Sequence, residues 1–247
     1  MTDMKAIVLA AGKGTRLQTE GADLPKVMRQ ALGRPLIQYV LDGIRFIGEE
    51  NIILVVGYQK EKVLAAFPQN PFAVQTEQLG TGHAVLSAGE ALEGYTGSVL
   101  VCCGDMPLLR SETYEALVQT HIEGQNTCTI LTGTSDLQLP YGRVIRDATG
   151  GFSEVVEEKD CTPEQLAIRE LNSGVYVFAA EALLPALFQL KSDNAQGEYY
   201  LTDVPAILKA EGAKIGICKR ELGNEIIGVN TLEQLMEVEE ILRRRES

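Results

Sequence analysis

The sequence predicts an α/β fold: a doubly wound, mostly parallel sheet carrying a small antiparallel β insertion. Three observations carry this expectation. Short runs such as "AIVLAA" (Ala6–Ala11) and "IILVV" (Ile52–Val56) are apolar throughout instead of alternating, as strands covered on both faces must be. Stretches with apolar residues at helical spacing separate these runs, the rhythm of a parallel sheet with helical crossovers. From about Tyr141 the rhythm changes to β-rich halves around "DATGG", a hairpin signal.

In chain order, Lys5–Ala10 is the first strand. Pro35–Ile47 follows as a helix, because Leu36, Val40 and Ile44 fall on one helical face, and Asn51–Gly57 returns to strand. The alternation continues with a helix over Lys60–Phe67, a strand over Phe72–Gln75, a helix over Gly82–Glu93, a strand over Ser98–Cys103, a helix over Ser111–Glu123 and a strand over Thr127–Thr132. Gly142–Glu158 reads as a hairpin, and Asn172–Ala179 as another strand of the same insertion, laid over one edge of the sheet; helices then resume. Thr231 and Gln234 form a capping box ahead of Leu235, Val238 and Leu242, so residues 231–247 close the chain as a helix. No repeat, low-complexity tract or Gly/Ser linker interrupts the 247 residues, which are expected to form a single domain, 1–247.

Composition narrows the ligands. Against 34 acidic residues stand 22 Lys and Arg, a net charge of −12 that repels nucleic acid and anionic membrane. The basic triplet Arg243–Arg245 is expected to be the solvated last turn of a helix, favourable at its negative dipole end. No apolar run approaches the ~20 residues that span a bilayer, and the N-terminus lacks a signal-peptide pattern. Cys102, Cys103, Cys128, Cys161 and Cys218 show no metal-ligand spacing and read as reduced thiols, which points to the cytoplasm.

The stretch "KAIVLAAGKGTRL" (Lys5–Leu17) runs a strand into a loop of small residues at the edge where such sheets bind ligands. A Walker A loop requires G-x-x-x-x-G-K-[ST], which Gly12-Lys13-Gly14-Thr15-Arg16 does not supply. A dinucleotide fingerprint requires a third glycine where Leu17 stands. There remains a loop whose Ala10, Ala11, Gly12 and Gly14 let backbone approach a flat base and ribose, with Arg16 able to meet triphosphate oxygens. On these residues alone a tight βα turn with a solvated arginine stays open.

"LAAGKGTRL" with "LPKV" (Leu24–Val27), followed in order by "TEQLGTGHA", "CGDMPLL", "YGRV", "VVEEKD", "LNSGVYVF", "NAQGEYYLTDV" and "IGVN", resembles the sugar-1-phosphate nucleotidyltransferases from about Ala6 to Asn230. Within them it is most similar to the N-acetylglucosamine-1-phosphate uridyltransferase domains of bifunctional bacterial UDP-GlcNAc synthases. The resemblance implies a Rossmann-like nucleotidyltransferase fold, with nucleotide binding to about residue 135 and sugar binding over about 136–230. It implies nucleotide contacts from Leu9, Ala10, Ala11, Gly12, Gln75, Gly80 and Thr81. A glutamine amide such as that of Gln75 can both donate to and accept from a uracil imide edge, and free N–H groups near Thr81 and Gly82 favour an anion. His83 reads as an ordinary helix residue.

For the reaction itself the resemblance implies Arg16, Lys26 and Asp105, with Asp105 and Asn230 as the protein ligands of Mg²⁺, a hard cation suited to oxygen donors. Sugar contacts are implied for Cys103, Gly142, Glu157, Lys159, Asn172 and Asn230, with Glu198, Tyr200 and Thr202 completing the pocket. Glu157 and Lys159 are two apart on an expected strand, hence on one face. Singly, each has a structural alternative: a strand-end amide for Gln75, an N-cap turn for Thr81, a Gly-Asp-x-Pro turn for Asp105, a helix-start residue for Asn230 and a solvated charge run for "EEKD".

The activity so implied is Mg-dependent uridylyl transfer from UTP to N-acetylglucosamine-1-phosphate by in-line displacement, with those two small molecules as partners. A related nucleotide or hexose phosphate, or binding of a nucleotide sugar without turnover, are the alternatives. Two departures from the family pattern stand out: the stretch between Arg16 and Lys26 is longer than usual, and Cys103 replaces a common tyrosine. After Asn230 nothing resembles the hexapeptide-repeat β-helix of the bifunctional enzymes, so uridylyl transfer alone, and a monomer, are expected.

Overall fold

A computed structural model describes residues 3–17, 24–134 and 139–246. The loop residues Gln18–Asp23 and the expected boundary near residue 135 lie outside the described residues. In chain order the elements are β1 (Met4–Ala10), a short hairpin of β2 (Gln30–Ala31) and β3 (Arg34–Pro35), α1 (Leu36–Gly43), β4 (Ile52–Val56), α2 (Lys60–Ala66), β5 (Phe72–Val74) and α3 (Thr81–Leu86). Then come β6 (Ser98–Cys103), α4 (Ser111–Gly124), β7 (Cys128–Thr134), β8 (Arg143–Arg146), β9 (Phe152–Val156) and α5 (Pro163–Leu166). The chain continues through β10 (Glu170–Ala179), α6 (Ala180–Leu187), α7 (Val204–Ala210), β11 (Ile215–Glu221) and α8 (Leu232–Glu246).

The central sheet has the order β11-β7-β10-β6-β1-β4-β5. Neighbours pair in parallel except at β10, which runs antiparallel to both β6 and β7. Side chains alternate across the sheet. On β1, Ala6, Val8 and Ala10 pack with Ile37, Val40 and Leu117 from α1 and α4, while Ile7 faces Val85, Leu183 and Val204 from α3, α6 and α7. Both faces are therefore covered, and the apolar runs are accounted for.

The hairpin signal is correct: β8 and β9 pair antiparallel around a turn in which Asp147 Oδ1 accepts from the amides of Thr149 and Gly151. The strand expected over Asn172–Ala179 is not confined to the insertion. It is the last eight residues of a ten-residue strand in the middle of the main sheet, and only the start of that strand pairs with the hairpin, at Leu171 opposite Arg143. Two expected helices are shorter. Pro35–Ile47 stops at Gly43 and passes through a 3-10 turn at Arg45–Ile47, after which Gly48 (φ +89°) redirects the chain toward β4. Gly82–Glu93 breaks after Leu86 into a 3-10 turn at Gly89–Leu92. The β2–β3 hairpin and β11 carry no apolar run long enough to announce them: the first is two residues a side with both turn residues, Leu32 and Gly33, at positive φ, and the second is an edge strand whose last three residues are exposed.

The capping box of α8 is present: Gln234 N donates to Thr231 Oγ1 at 3.3 Å and Thr231 N to Gln234 Oε1 at 3.1 Å. Val238 and Leu242 of this helix pack on Leu17, Ala31, Leu36 and Val229, which fastens the first loop to the last helix. The basic triplet forms its last turn, with Arg245 Nη1 donating to the Leu108 carbonyl at 2.8 Å.

Where β7, β8, β10 and β11 converge, Glu170 accepts from Thr132 Oγ1 at 2.7 Å, pairs with Arg146 and lies 3.6 Å from Lys219 Nζ. Burial alone would raise its pKa, but the bonds from Arg146 and Thr132 outweigh it and hold the carboxyl below its ordinary value. The stability it contributes is complete above the unfolded-state value of about 4.3 and is lost as pH falls through the lowered folded value. Between pH 7 and pH 3.5, urea midpoints of the wild type are therefore expected to fall further than those of Glu170→Gln; equal slopes would contradict the assignment.

Candidate active site

Parallel strands β1, β4 and β6 end on one edge of the sheet, and β10, running the other way, starts there. The tight residues Ala11, Gly57 and Gly104 and the start of β10 at Asn172–Gly174 thus meet at one place, and two adjoining clefts open between them. The larger has a volume of about 710 Å³ and the smaller about 260 Å³. Leu9, Thr81, Cys103 and Asp105 line both.

At the junction, Lys26 Nζ is ion-paired with Asp105 Oδ2 and donates to Asn230 Oδ1 at 2.7 Å. The first loop makes this approach possible. Lys26 N donates to the Gly12 carbonyl at 3.3 Å, and a Cβ on Gly14 (φ +65°) would stand 2.8 Å from Lys26 Cβ. Asp105 is held by its own backbone, whose carbonyl accepts from Val229 N at 2.9 Å. Arg16 lies in the 3-10 turn Thr15–Leu17 with its side chain exposed on the wall of the larger cleft. It makes no hydrogen bond or ion pair among the described residues, whereas Leu17 beside it is fully buried against α8. An anchored backbone thus presents a guanidinium that is available to an anion.

A divalent cation has a place here on this chain's own chemistry. Asp105 and Asn230 each turn an oxygen to one ammonium, so two hard donors already converge on a single cation. Asp105 and Asn230 are the residues that would hold it.

The smaller cleft gathers Ala11, Gly12, Gln75, Gly80 and Thr81 from the expected nucleotide residues. Ala10 is a buried β1 residue that lines neither cleft, because the strand's alternation turns it into the core. Gln75 is buried; its Nε2 donates to the Gly80 carbonyl at 3.1 Å and lies 3.2 Å from His83 Nδ1, so part of its bonding capacity is already used inside the protein. Gln78 was not singled out by its chemistry, yet its Nε2 donates to the Ala11 carbonyl at 2.7 Å and closes the cleft beside the first loop.

Gly80 has φ +110°, and a Cβ there would stand 2.6 Å from the Tyr199 carbonyl. Around it the two segments are stitched together: Gly82 N donates to Tyr199 O at 2.8 Å, Tyr199 N to Leu79 O at 2.8 Å, and Leu201 N to Thr81 Oγ1 at 3.1 Å. Thr81 is thus a joint between the clefts as well as a helix start.

The larger cleft holds the expected sugar residues Cys103, Gly142, Glu157, Lys159, Asn172 and Asn230, and buried Thr202. Gly142 O accepts from Asn172 N at 2.9 Å, and Asn172 Nδ2 donates to Tyr176 Oη at 2.7 Å. Glu157 and Lys159 are not on one strand: β9 ends at Val156, and Glu158–Asp160 is a 3-10 turn closed by Asp160 N donating to Glu157 O. Both still reach the cleft, with Lys159 Nζ bonded to Gln196 Oε1 at 2.6 Å. Burial, reinforced by Asp203, Asp160 and Glu198, raises the Glu157 carboxyl above its usual range. Burial likewise raises the Cys103 thiol, with Asp105 adding to it. Glu198 lines the smaller cleft, and Tyr200 lines neither; its hydroxyl accepts from Gln196 Nε2 at 3.0 Å.

A family model for the MobA-like NTP transferase domain matches residues 6–206. The chain belongs to this family. It is 43% identical over 244 residues to the bifunctional protein GlmU of Pelotomaculum thermopropionicum and 46% identical over 250 residues to that of Geotalea daltonii. These alignments cover 98% and 99% of this chain but 53% and 54% of the relatives, so the chain spans about half the length of the curated relatives it matches. Among solved structures, UDP-glucose pyrophosphorylase complexed with UDP-glucose superposes with a TM-score of 0.75 at 19% identity, covering 99% of this chain and 100% of that one. HddC from Yersinia pseudotuberculosis complexed with GMP-PN gives 0.68 at 19% identity over 98% and 100%. The fold is thus that of the NTP transferases along the length of the chain.

The stitched joint can be tested by one methyl group. Gly80→Ala is expected to cost about 1–3 kcal/mol from backbone strain alone, with the clash on Tyr199 added. Gly94→Ala, also at positive φ but with nothing within 4 Å of its added Cβ, should cost about 1 kcal/mol. Thermal melts of the two variants should rank in that order, and equal losses would show that the close approach carries no cost.

Proposed function

We propose that the chain transfers uridylyl from UTP to N-acetylglucosamine-1-phosphate, producing UDP-GlcNAc and pyrophosphate. The observation that supports this most directly is the Lys26 ammonium between Asp105 and Asn230, at the junction of a smaller, amide-bearing cleft and a larger, hydroxyl- and carboxylate-rich one. UTP and a sugar phosphate bring roughly six negative charges into a protein that is itself acidic, so cationic groups must gather locally. Lys26 and Arg16 stand where two such substrates would meet. The similarity to GlmU proteins supports the choice of base and sugar.

In this reading residues to about 135 hold the nucleotide, and residues from about 136 to 230 hold the sugar. Leu9, Ala11, Gly12 and Gly80 shape the space for base and ribose, and Gln75 reads the uracil edge. Gly142, Glu157 and Asn172 take the sugar hydroxyls, and Lys159 approaches its phosphate. Asp105 and Asn230 would hold Mg²⁺, which when bound would neutralise part of the polyphosphate charge. A phosphate oxygen of the sugar phosphate is already a nucleophile at neutral pH, so it attacks the α-phosphorus as pyrophosphate leaves, and no side chain need remove a proton. Arg16 and Lys26 orient the triphosphate and hold the charge that develops on the leaving group. The five unbridged thiols accord with the cytoplasm, where thiols stay reduced; among the described residues no helix is long and apolar enough to cross a membrane.

Pyrophosphate release measured across a matrix of nucleoside triphosphates and sugar phosphates with Mg²⁺ tests the proposal. Product is expected with UTP and N-acetylglucosamine-1-phosphate; turnover confined to other pairs, or none, would overturn it. Lys26→Ala and Asp105→Ala should each lose about 10²-fold or more in rate while keeping the wild-type circular dichroism spectrum, and near-normal rates in either would remove these residues from the mechanism.

A further inference from the structure

Asn230 sits at the end of a short extended segment, and each part of that segment is fixed by a different element. Val229 N donates to the carbonyl of Asp105 at 2.9 Å, and Asn230 N to Gln234 Oε1 at 2.7 Å. The third attachment comes from Tyr141, a distant residue that also lines the larger cleft. Tyr141 Oη donates to the Ile226 carbonyl at 2.8 Å and accepts from Gly228 N at 2.8 Å, bridging one residue of backbone with one hydroxyl. A Cβ on Gly228 would lie 3.0 Å from that oxygen, so the approach is close. Gly228 O in turn accepts from Asn230 Nδ2 at 3.2 Å, which sets the rotation of the amide whose Oδ1 faces Lys26.

Tyr141 is the residue before Gly142, whose carbonyl is bonded to Asn172 N. A single side chain therefore joins the wall that meets the sugar to the backbone that presents Asn230. We propose that Tyr141 is a positioning residue that aims the Asn230 carboxamide at the cation site, so that the Gly142 loop and the Asp105–Asn230 pair behave as one unit. This rests on the functional reading above. Removing the hydroxyl frees Gly228 N and Ile226 O together, and Asn230 loses the support that holds its oxygen beside Asp105. The consequence falls on the cation, while the smaller cleft, to which Tyr141 makes no contribution, keeps its affinity for nucleotide.

The test compares Tyr141→Phe with Thr113→Val. Thr113 Oγ1 donates at 2.7 Å to Glu225 Oε2 and so anchors the start of the same segment from α4, away from the clefts. Mn²⁺ binding is followed by electron paramagnetic resonance with UTP present and no sugar phosphate. Tyr141→Phe is expected to weaken Mn²⁺ about tenfold and to raise the half-saturating Mg²⁺ in turnover by a similar factor, with the KM for UTP within twofold of wild type. Thr113→Val should lower the thermal midpoint and leave Mn²⁺ affinity unchanged. Mn²⁺ affinity in Tyr141→Phe within twofold of wild type, an equal weakening in Thr113→Val, or no Mn²⁺ binding by the wild type would each overturn the proposal. Failure of the wild type to form UDP-GlcNAc would instead refute the functional reading, and the Mn²⁺ comparison would still decide the role of Tyr141.

Discussion

The Lys26 ammonium ties together three stretches of chain that are far apart in sequence. Asp105 is 79 residues from Lys26 and Asn230 is 204. All three side chains are mostly withdrawn from water, with Lys26 and Asp105 only 16% and 17% exposed. A charge so placed is costly unless it is met by opposite charge and by hydrogen bonds. The first loop, the end of β6 and the segment before α8 must therefore arrive together, and the two clefts exist because they do. In a chain of net charge −12 this places a paired ammonium at the edge where the two clefts open, with the exposed Arg16 on the wall beside it.

The direction of one strand decides what that edge contains. Were β10 parallel to its neighbours, its first residues would lie at the opposite end of the sheet. Running antiparallel between β6 and β7, it delivers Asn172, Ser173 and Gly174 to the carboxyl edge, and its register shift between Asn172 and Tyr176 accommodates Gly174 at φ +77°. The β8–β9 hairpin attaches to this same start of β10, so the insertion and the main sheet share a wall of the larger cleft. Close backbone approach does comparable work on the other side, where Gly80 and Gly82 let the start of α3 touch the chain at Tyr199.

Much of this was legible. Uniformly apolar strands and periodic helices announce a covered parallel sheet, since each pattern reports only whether one or both faces of its own element are buried. The small residues of the first loop and the motifs shared with the nucleotidyltransferases marked most of the residues that line the clefts. Local pattern failed where a neighbour, and not the segment itself, sets the conformation. Glu157 and Lys159 looked like strand partners because alternation cannot show that the backbone turns at Val156. Ala10 looked like part of the loop although β1 carries it inward. Tyr141 and Gln78 lie within the shared motifs "YGRV" and "TEQLGTGHA" but carried no expected role, because each acts on backbone groups of a distant segment.

The sequence by itself determined the class of fold, the hairpin, the capped last helix and the chemical kinds of side chain available to an anionic ligand, because these follow from periodicity and residue type within short windows. Only the tertiary structure decided that β10 lies antiparallel in the middle of the sheet, that Lys26 stands between Asp105 and Asn230, and that the Tyr141 hydroxyl meets the backbone at Ile226 and Gly228. Those depend on which groups lose water together when distant segments pack, and that information resides in no single stretch of the chain.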